Sequence, residues 1–485
     1  MKRITVFACI VISLFCVFSF GGCSTNAKES ATEYDIVCRL ENHTLFGEQT
    51  VNYVNQTDNV IGELKFNLYG NAFRRNAKYS PIASQYLAKA YPFGVNYGSM
   101  QIESVLVGDE EADFKVAGID ENVLVVSLKK ELFPNEKESV KISFKLILAN
   151  VIARTGYNSS TINLGNFYPI LCAMQDGAFY ECSYYDLGDP FFSDCANYKV
   201  KITCEKDYVV ASSGALVWEK EEGGQKTCEY TVENARSFAF VLSKEFNVVS
   251  KKVLGKEINY YYYNDQNPDN SIDYATKATT LFSNTFGEFP FATFSVVQTP
   301  FVQGGMEYPG LVMISDELKD LPYGEVIVHE TAHQWWQSAV GNNEIEHAFL
   351  DEGLAEYSVV LFYENFSQYG YTREGLIKAS ENTYKTFCSV YDKLYKNVNT
   401  VMLRSLKDFS SEYEYVNIAY IKPCIMYDSL RTTVGEQRFF DALKNYYSAF
   451  KFKNATPDDL VGMFEKIGAG TNGFFESFFN GKVIL

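Results

Sequence analysis

The stretch HETAHQWW, residues 329–336, constrains this chain more than any other feature of its sequence. His329 and His333 are two of only 4 histidines in 485 residues. On an α-helix, their spacing corresponds to about 40° of rotation, so both imidazoles face the same side. Glu330 lies about 100° further round and can reach a bound water without being a ligand itself. An apolar helix that carries two imidazoles and a carboxylate predicts a buried metal site with its own general base.

A third ligand is predicted downstream, because catalytic zinc takes three protein ligands and keeps a fourth position open. In FLDEGLAEY, Glu352 follows His333 after 18 residues, a gap that fits a turn near residues 341–343 and a returning helix. The sequence therefore predicts one Zn²⁺ per chain, bound by His329, His333 and Glu352. Glu356, one turn further along the same face, is predicted to accept a hydrogen bond from a ligand histidine. A solvated helix glutamate is the alternative interpretation of this residue.

Hydrophobic periodicity divides the chain into a β part and a helical part. In SVKISFKLIL, residues 139–148, apolar and polar residues alternate, which indicates antiparallel strands with one buried face. Beyond EINYYYYN, residues 257–264, the pattern becomes helical. It predicts helices near residues 270–286, 322–339 and 348–364.

The predicted fold class is α+β and multidomain. An N-terminal antiparallel β-sandwich domain is expected over residues 34–252. An α/β catalytic domain with a helical C-terminal part is expected over residues 253–485.

The N-terminal residues are predicted to lie outside this fold. Lys2 and Arg3 precede an apolar run over residues 4–20, which is followed by GGC. That order indicates a signal peptide over residues 1–22, with Cys23 as the lipid-carrying first residue of a tether over 23–33. The alternative is an uncleaved anchor helix, whose length of roughly 26 Å is marginal for a bilayer core. We therefore expect an extracytoplasmic protein attached to the cell membrane through a lipid anchor, as in bacterial lipoproteins.

Charge and cysteine content restrict the partners and the redox state. The formal net charge is −17, which disfavours nucleic acid as a partner. An exported location permits disulfides. Cys204 and Cys228 lie on what are predicted to be neighbouring strands, so the sequence predicts a disulfide between them.

The complete pattern, HExxH followed by a glutamate within DEG, resembles the gluzincin peptidases and in particular the aminopeptidase N family. Upstream, GGMEYPG at residues 304–310 is similar to the GxMEN motif of that family, with Tyr308 in place of asparagine. The family's motif glutamate binds the free α-amine of the substrate, a role that carries over to Glu307. The resemblance also implies that Gly304, Gly305 and Met306 contact the peptide.

Two further segments extend the resemblance over nearly the whole chain after the tether. AYIKPC resembles the family's YxKG segment, which implies that Tyr420 stabilises the oxyanion, although Pro423 replaces the glycine. DPFFSDCANYKVKI resembles the N-terminal β domain of the family. The resemblance implies a β-sandwich followed by a thermolysin-like domain, in a short form without the C-terminal helical-repeat domain.

The function implied by this resemblance is zinc-dependent aminopeptidase activity on peptide substrates. Zinc would activate a water, Glu330 would take its proton, and Tyr420 would donate to the developing oxyanion. One departure concerns the second amine-binding group, a glutamine or glutamate in the β domain of many members. The corresponding stretch NSSTINLGN, residues 158–166, holds only asparagines. The alternatives are a zinc endopeptidase, a hydrolase of a non-peptide substrate such as an epoxide, and a non-catalytic surface binding protein.

Overall fold

The structure is a computed structural model that describes residues 32–468 and 471–481. The predicted signal peptide, the lipidation site at Cys23 and most of the tether lie outside the described residues. Within the described ranges, no helix is both long enough and apolar enough to cross a lipid bilayer.

The first part of the chain is built almost entirely from strands. They are β1 (Glu33–Glu41), β2 (Thr44–Val54), β3 (Ile61–Asn67), β4 (Ser99–Val107), β5 (Glu110–Glu111), β6 (Phe114–Ala117), β7 (Val123–Leu132), β8 (Lys137–Ile147), β9 (Thr155–Tyr157), β10 (Ile162–Leu164), β11 (Ile170–Leu171), β12 (Met174–Gln175), β13 (Ala178–Phe179), β14 (Ala196–Glu205), β15 (Val209–Ser212), β16 (Ala215–Glu222), β17 (Gln225–Ala235) and β18 (Phe240–Ser243). A short helix, α1 (Leu87–Ala90), lies between β3 and β4.

Because apolar and polar residues alternate, each of these strands buries one face and exposes the other. In β8, Val140, Ile142, Phe144 and Leu146 are buried while the residues between them are partly exposed. The large sheet runs in the order β16-β17-β14-β1-β2-β8-β4-β5 and is antiparallel except where β1 pairs with β14. Two four-stranded sheets, β15-β18-β10-β9 and β11-β3-β7-β6, and the hairpin β12-β13 complete this part.

The second part combines a small sheet with helices. Its strands are β19 (Asn247–Val253), β20 (Lys256–Tyr262), β21 (Thr293–Thr299), β22 (Gly305–Met306), β23 (Leu311–Ser315), β24 (Val340–Gly341) and β25 (Lys453–Asn454). Its helices are α2 (Pro268–Thr285), α3 (Asp320–Ala332), α4 (Glu344–His347), α5 (Phe349–Asn365), α6 (Arg373–Tyr395), α7 (Glu412–Val416), α8 (Lys422–Val434), α9 (Glu436–Phe450), α10 (Pro457–Lys466) and α11 (Asn472–Phe479).

The five-stranded sheet, in the order β19-β20-β21-β23-β22, ends in the strand that carries part of the glycine-rich motif. Strand β19 pairs with β20 and therefore belongs to this sheet of the second part. The predicted domain boundary, between residues 252 and 253, falls just before the last residue of this strand. The predicted fold class, an antiparallel β domain followed by an α/β domain with a helical end, is confirmed.

Helix α3 is shorter than the sequence predicts. The predicted helix over residues 322–339 ends at Ala332, with His333 as its C-terminal cap. The amide of Ser338 donates to the carbonyl of His333, and Gln337 has a φ of 131°, so the chain turns sharply after the second histidine. Trp335 and Trp336 are still fully buried, which explains why the apolar pattern continues beyond the helix.

The predicted disulfide between Cys204 and Cys228 is wrong. Strands β14 and β17 do pair, but the register places Cys228 opposite Ile202 and Cys204 opposite Lys226. Both cysteines are buried free thiols.

Arg236, which follows β17 directly, joins the two parts of the chain. Its side chain is 3% exposed. It donates to the carbonyls of Gln337 and Lys453 in the second part and to the carbonyl of Ser193 in the first. Gly341 leaves room for the guanidinium, because a Cβ there would lie 2.0 Å from the Arg236 Cζ atom.

Candidate active site

The two histidines and the glutamate predicted as metal ligands lie together. His329 is in the last turn of α3, His333 caps the helix, and Glu352 is in the first turn of α5. The two histidine Nε2 atoms are 3.0 Å apart, and each lies 3.2 Å from Oε2 of Glu352. Three donor atoms therefore form a nearly equilateral triangle.

Polar contacts on the far side of each ring orient both histidines toward this triangle. Nδ1 of His333 lies 2.9 Å from the carbonyl oxygen of Trp336, so it carries the proton and donates. Nδ1 of His329 lies 3.4 Å from Oε2 of Glu356, the residue that the sequence predicts as its partner. The Nε2 lone pair of each ring is thus directed at the shared point.

The triangle fits a zinc ion in both chemistry and size. Two imidazoles and one carboxylate are the donor types of catalytic zinc, and bonds of about 2.0–2.1 Å in tetrahedral geometry separate ligand atoms by roughly 3.3 Å. Burial alone would raise the pKa of Glu352, but the two histidines lower it to about 2.

Glu330 points its carboxylate into the same space without joining the triangle. Its side chain is buried, and Oε2 has no hydrogen-bond partner among the described residues. Burial raises the pKa of Glu330 to about 7 against the opposing effect of the two histidines. Gly305 makes this position possible, since a Cβ there would lie 2.3 Å from Oε1 of Glu330.

Tyr420 contacts two of the three predicted metal ligands. It lies in a single wide helical turn, Asn417–Ile421, between α7 and α8. Its ring is nearly parallel to that of His329, with centroids 5.8 Å apart, and its hydroxyl donates to Oε1 of Glu352. Burial raises the pKa of Tyr420 well above its ordinary value, so the phenol keeps its proton.

Glu307 follows β22 and reaches the same site from the edge of the sheet. It is 3% exposed, and Oε1 has no hydrogen-bond partner among the described residues. Burial and the neighbouring carboxylate of Asp189 raise the pKa of Glu307 well above its ordinary value. The described residues therefore supply no hydrogen-bond donor to this oxygen.

A cavity of about 420 Å³ connects these groups. Gly304, Gly305, Glu307, Glu330, Tyr420 and the three predicted ligands all line it. Met306 does not line the cavity, because its side chain is buried in the core. The rim is formed in part by Tyr86 and Lys89 from the β part and by Glu317 and Glu412 from the helical part.

Sequence reasoning did not single out two charged residues of this cavity, Arg154 and Asp189. Both come from the β part and line the wall beside Glu307. Arg154 Nη1 lies 2.8 Å from Asp189 Oδ1, and the two side chains are 8% and 14% exposed. The sequence did offer one indication, an acidic residue within the aromatic loop DLGDPFF. An acidic side chain that is buried in such a loop needs an ion-pair partner or a functional role.

This fold and this site define the class as zinc metallopeptidases with an HExxH helix and a glutamate as third ligand. Within the class, residues 271–479, less than half of the chain, match the model of the peptidase family M1 domain. This match confirms the recognition of an aminopeptidase N-type family from the sequence, and an M1 domain implies a zinc cofactor.

Similar proteins agree with this assignment. Aminopeptidase M1-D of Oryza sativa subsp. japonica is 23% identical over 291 residues, which are 56% of this chain and 32% of that protein. Aminopeptidase Q of Homo sapiens is 21% identical over 387 residues, 74% of this chain and 38% of that protein. The chain thus spans less than half the length of these relatives.

Among solved structures, an M1 zinc metallopeptidase from Deinococcus radiodurans has the same fold. It superposes with a TM-score of 0.67 at 16% identity, covering 93% of this chain and 94% of that one. A mutant of that protein has been determined with Tyr-Ser-Ala bound as substrate.

Proposed function

We propose that this chain is a zinc-dependent aminopeptidase that releases N-terminal residues from peptides. The observation that carries the proposal is the arrangement of three metal-ligand atoms, an unpartnered Glu330 and an unpartnered Glu307 around one cavity. The aminopeptidase names of the relatives and the tripeptide bound to the Deinococcus protein support the same reaction class.

His329, His333 and Glu352 would hold the zinc ion. When bound, zinc supplies Lewis acidity toward the scissile carbonyl and lowers the pKa of a water toward about 7. The carboxylate of Glu330, which lines the cavity beside the ligands, accepts a proton from the attacking water and passes it to the leaving amine. A buried carboxylate with its pKa raised to about 7 is well suited to both transfers.

Tyr420 and Glu307 act at the two ends of the reacting residue. The Tyr420 hydroxyl, adjacent to Glu352, donates a hydrogen bond to the oxygen that develops negative charge. Glu307 binds the α-ammonium, so the cut falls after the first residue. A terminal ammonium that loses water on entering the cavity requires such an anionic partner.

The test compares peptides with free and N-acetylated termini, each with and without a chelator. Activity should require metal, and acetylation should abolish most of it. Removal of one partner of a buried charge pair costs about 2–5 kcal/mol. Glu307→Ala should therefore lower kcat/KM on free-amine peptides roughly 30-fold to several-thousand-fold with zinc content unchanged.

Glu317→Ala is the matched control, because it removes a carboxylate from the rim of the same cavity. Glu317 is half exposed and pairs with Lys89, so its loss should change kcat/KM little. Equal turnover of free and acetylated peptides by the unaltered protein would refute the aminopeptidase proposal in favour of an endopeptidase. Chelator-insensitive turnover would refute the zinc mechanism as well.

We also propose that the protein is extracytoplasmic and attached to the membrane through Cys23. Support comes from the sequence, where an apolar run over residues 4–20 is followed by GGC. Mass spectrometry of the mature N-terminus should find a lipid-modified Cys23, and Cys23→Ala should release or misprocess the protein. An unmodified N-terminus that begins elsewhere would contradict this proposal.

A further inference from the structure

Three buried carboxylates meet where β22, α4 and α5 come together. Glu307 follows β22, Glu344 begins α4, and Asp351 lies in the first turn of α5. Each residue is between 2% and 4% exposed, and one carboxylate oxygen of each lies within 4.8 Å of an oxygen of both others. Glu307 also lines the catalytic cavity, whereas Glu344 and Asp351 do not. This acidic cluster therefore shares only Glu307 with the catalytic cavity.

The surrounding residues orient Glu344 and Asp351 through neutral groups. Asn343 caps α4 with its side chain and so sets Glu344 in the first turn of that helix. Gln337 Nε2 donates to Oε1 of Glu344 at 3.1 Å. Asn342 Nδ2 donates to Oδ1 of Asp351, also at 3.1 Å. Both donors are amides, so they fix the two carboxylates without balancing their charge.

The cluster leaves two of its oxygens unsatisfied. Oε2 of Glu344 and Oε1 of Glu307 are buried and have no hydrogen-bond partner among the described residues. Burial raises the pKa of Glu344 well above its ordinary value, and repulsion from Asp351 and Glu307 raises it further. His333 also lies within 4.8 Å of the Glu307 carboxylate, but it is already assigned as a zinc ligand. Because buried carboxylates are ordinarily paired with a cation or coordinate a metal, the cluster calls for a positive charge of its own.

We propose that Glu307, Glu344 and Asp351 form a second metal site, separate from the zinc triangle, that binds one Ca²⁺. Its side-chain donors are all carboxylate oxygens, which suit a hard cation better than zinc. Ca²⁺ takes ligands at about 2.3–2.6 Å, so two ligands on opposite sides lie up to roughly 5 Å apart. The observed limit of 4.8 Å agrees with this geometry. Mg²⁺ usually binds one or two carboxylates and keeps several waters, so it fits a buried group of three less well.

The bound ion affects the charge of Glu307. Three carboxylates and one divalent ion carry one net negative charge together. Glu307 has two carboxylate oxygens, so it can contact Ca²⁺ with one and face the catalytic cavity with the other. Ca²⁺ thereby keeps Glu307 ionised, which is the state that its proposed role requires. The binding of Ca²⁺ goes beyond the aminopeptidase function and does not depend on it.

The test titrates calcium-free, zinc-loaded full-length protein with CaCl₂ by isothermal titration calorimetry and follows thermal unfolding. One Ca²⁺ should bind per chain, and at a concentration 100-fold above Kd the Tm should rise by about 2 °C or more. Glu344→Gln removes one of three charged ligands and should weaken Ca²⁺ binding by at least about tenfold. Without Ca²⁺, this variant should be at least as stable as the unaltered protein, because it removes an unpaired buried charge.

Glu346→Gln is the matched control. It removes the same charge two residues further along α4, from a partly exposed side chain that accepts a hydrogen bond from Tyr180. The Ca²⁺ affinity of this variant should stay within about twofold of the original value. If Glu344→Gln folds poorly, Asp351→Asn removes another ligand and should show the same loss of Ca²⁺ affinity. Its zinc content should be unchanged, which is checked because Asp351 precedes Glu352.

Failure of the unaltered protein to bind Ca²⁺ would overturn the second metal site and leave the aminopeptidase proposal intact. An equal loss of affinity in Glu344→Gln and Glu346→Gln would assign Ca²⁺ binding to the acidic surface and overturn the site as well. A Tm of Glu344→Gln that is lowered equally with and without Ca²⁺ would indicate a purely structural role for Glu344, against the proposal. Absence of a free-amine preference in a protein that binds Ca²⁺ through Glu344 would overturn only the proposed function.

Discussion

The metal end and the amine end of the cavity are built in opposite ways. At the metal end, each histidine has a fixed partner on its outer nitrogen, and the ligand atoms lie 3.0–3.2 Å apart. At the amine end, Glu307 carries a buried oxygen without a hydrogen-bond partner, and the Asp189–Arg154 contact is not well directed. The metal end is preorganised for a resident ion, whereas the proposed amine end leaves a buried carboxylate oxygen unsatisfied until a ligand binds. Changes at the two ends should therefore affect different measurements.

The largest effect is expected for Glu352→Ala. This substitution removes one of three ligands and the acceptor of the Tyr420 hydroxyl, so the site should lose its zinc. Metal analysis of the purified variant should find well below one equivalent, and activity should fall to background. Retention of stoichiometric zinc would show that a different residue completes the ligand set.

Glu330→Gln should separate metal binding from chemistry at the same end. The amide keeps the shape of the side chain but cannot take a proton, and a positioned general base contributes on the order of 10²–10⁴ in rate. We expect normal zinc content with kcat reduced by that factor and KM nearly unchanged. A variant with full zinc and near-normal kcat would contradict the assignment of the base.

Arg154→Met tests whether the ion pair between Arg154 and Asp189 stabilises the fold at the amine end. It leaves the Asp189 carboxylate buried without its cation, and removal of one partner of a buried pair costs about 3–5 kcal/mol. Denaturant unfolding should show this loss in the free energy of unfolding, with zinc content of the remaining folded protein unchanged. A loss of metal instead would indicate that the two ends are not independent.

The smallest effect is expected for Glu356→Gln. The residue supports His329 from outside the ligand triangle at 3.4 Å, and such supporting groups typically contribute about 10- to 100-fold to metal affinity or activity. Zinc affinity measured by competition with a chelator should fall within that range. An unchanged affinity would favour the alternative of a solvated helix glutamate.

The metal end could be predicted from the sequence because its geometry is local. Helical periodicity places His329 and His333 on one face, and a short return brings Glu352 opposite them. The end of α3 could not be predicted, since Trp335 and Trp336 continue the apolar pattern through a turn that is as buried as the helix. The pattern of apolar residues alone does not distinguish a buried helix from a buried turn.

The amine end was predicted only in part. Glu307 and Tyr420 came from resemblance to a family, not from spacing. Asp189 and Arg154 were missed because tertiary folding brings them to the same cavity as Glu307 from positions more than a hundred residues away in the sequence. The predicted Cys204–Cys228 disulfide failed for a related reason, since neighbouring strands were identified correctly but their register offsets the two thiols by two positions.

The contacts of Arg236 bear on how the molecule unfolds. Its guanidinium donates to carbonyl groups of the turn after α3 and of β25, and a separated catalytic part would have to expose or desolvate those acceptors. Two domains unfold independently only when the contacts across their interface can be exchanged for contacts with water at little cost in free energy. Here a buried cation bonds to both sides, so calorimetry should record one cooperative transition rather than two. The catalytic half is therefore expected to be a poor candidate for expression on its own.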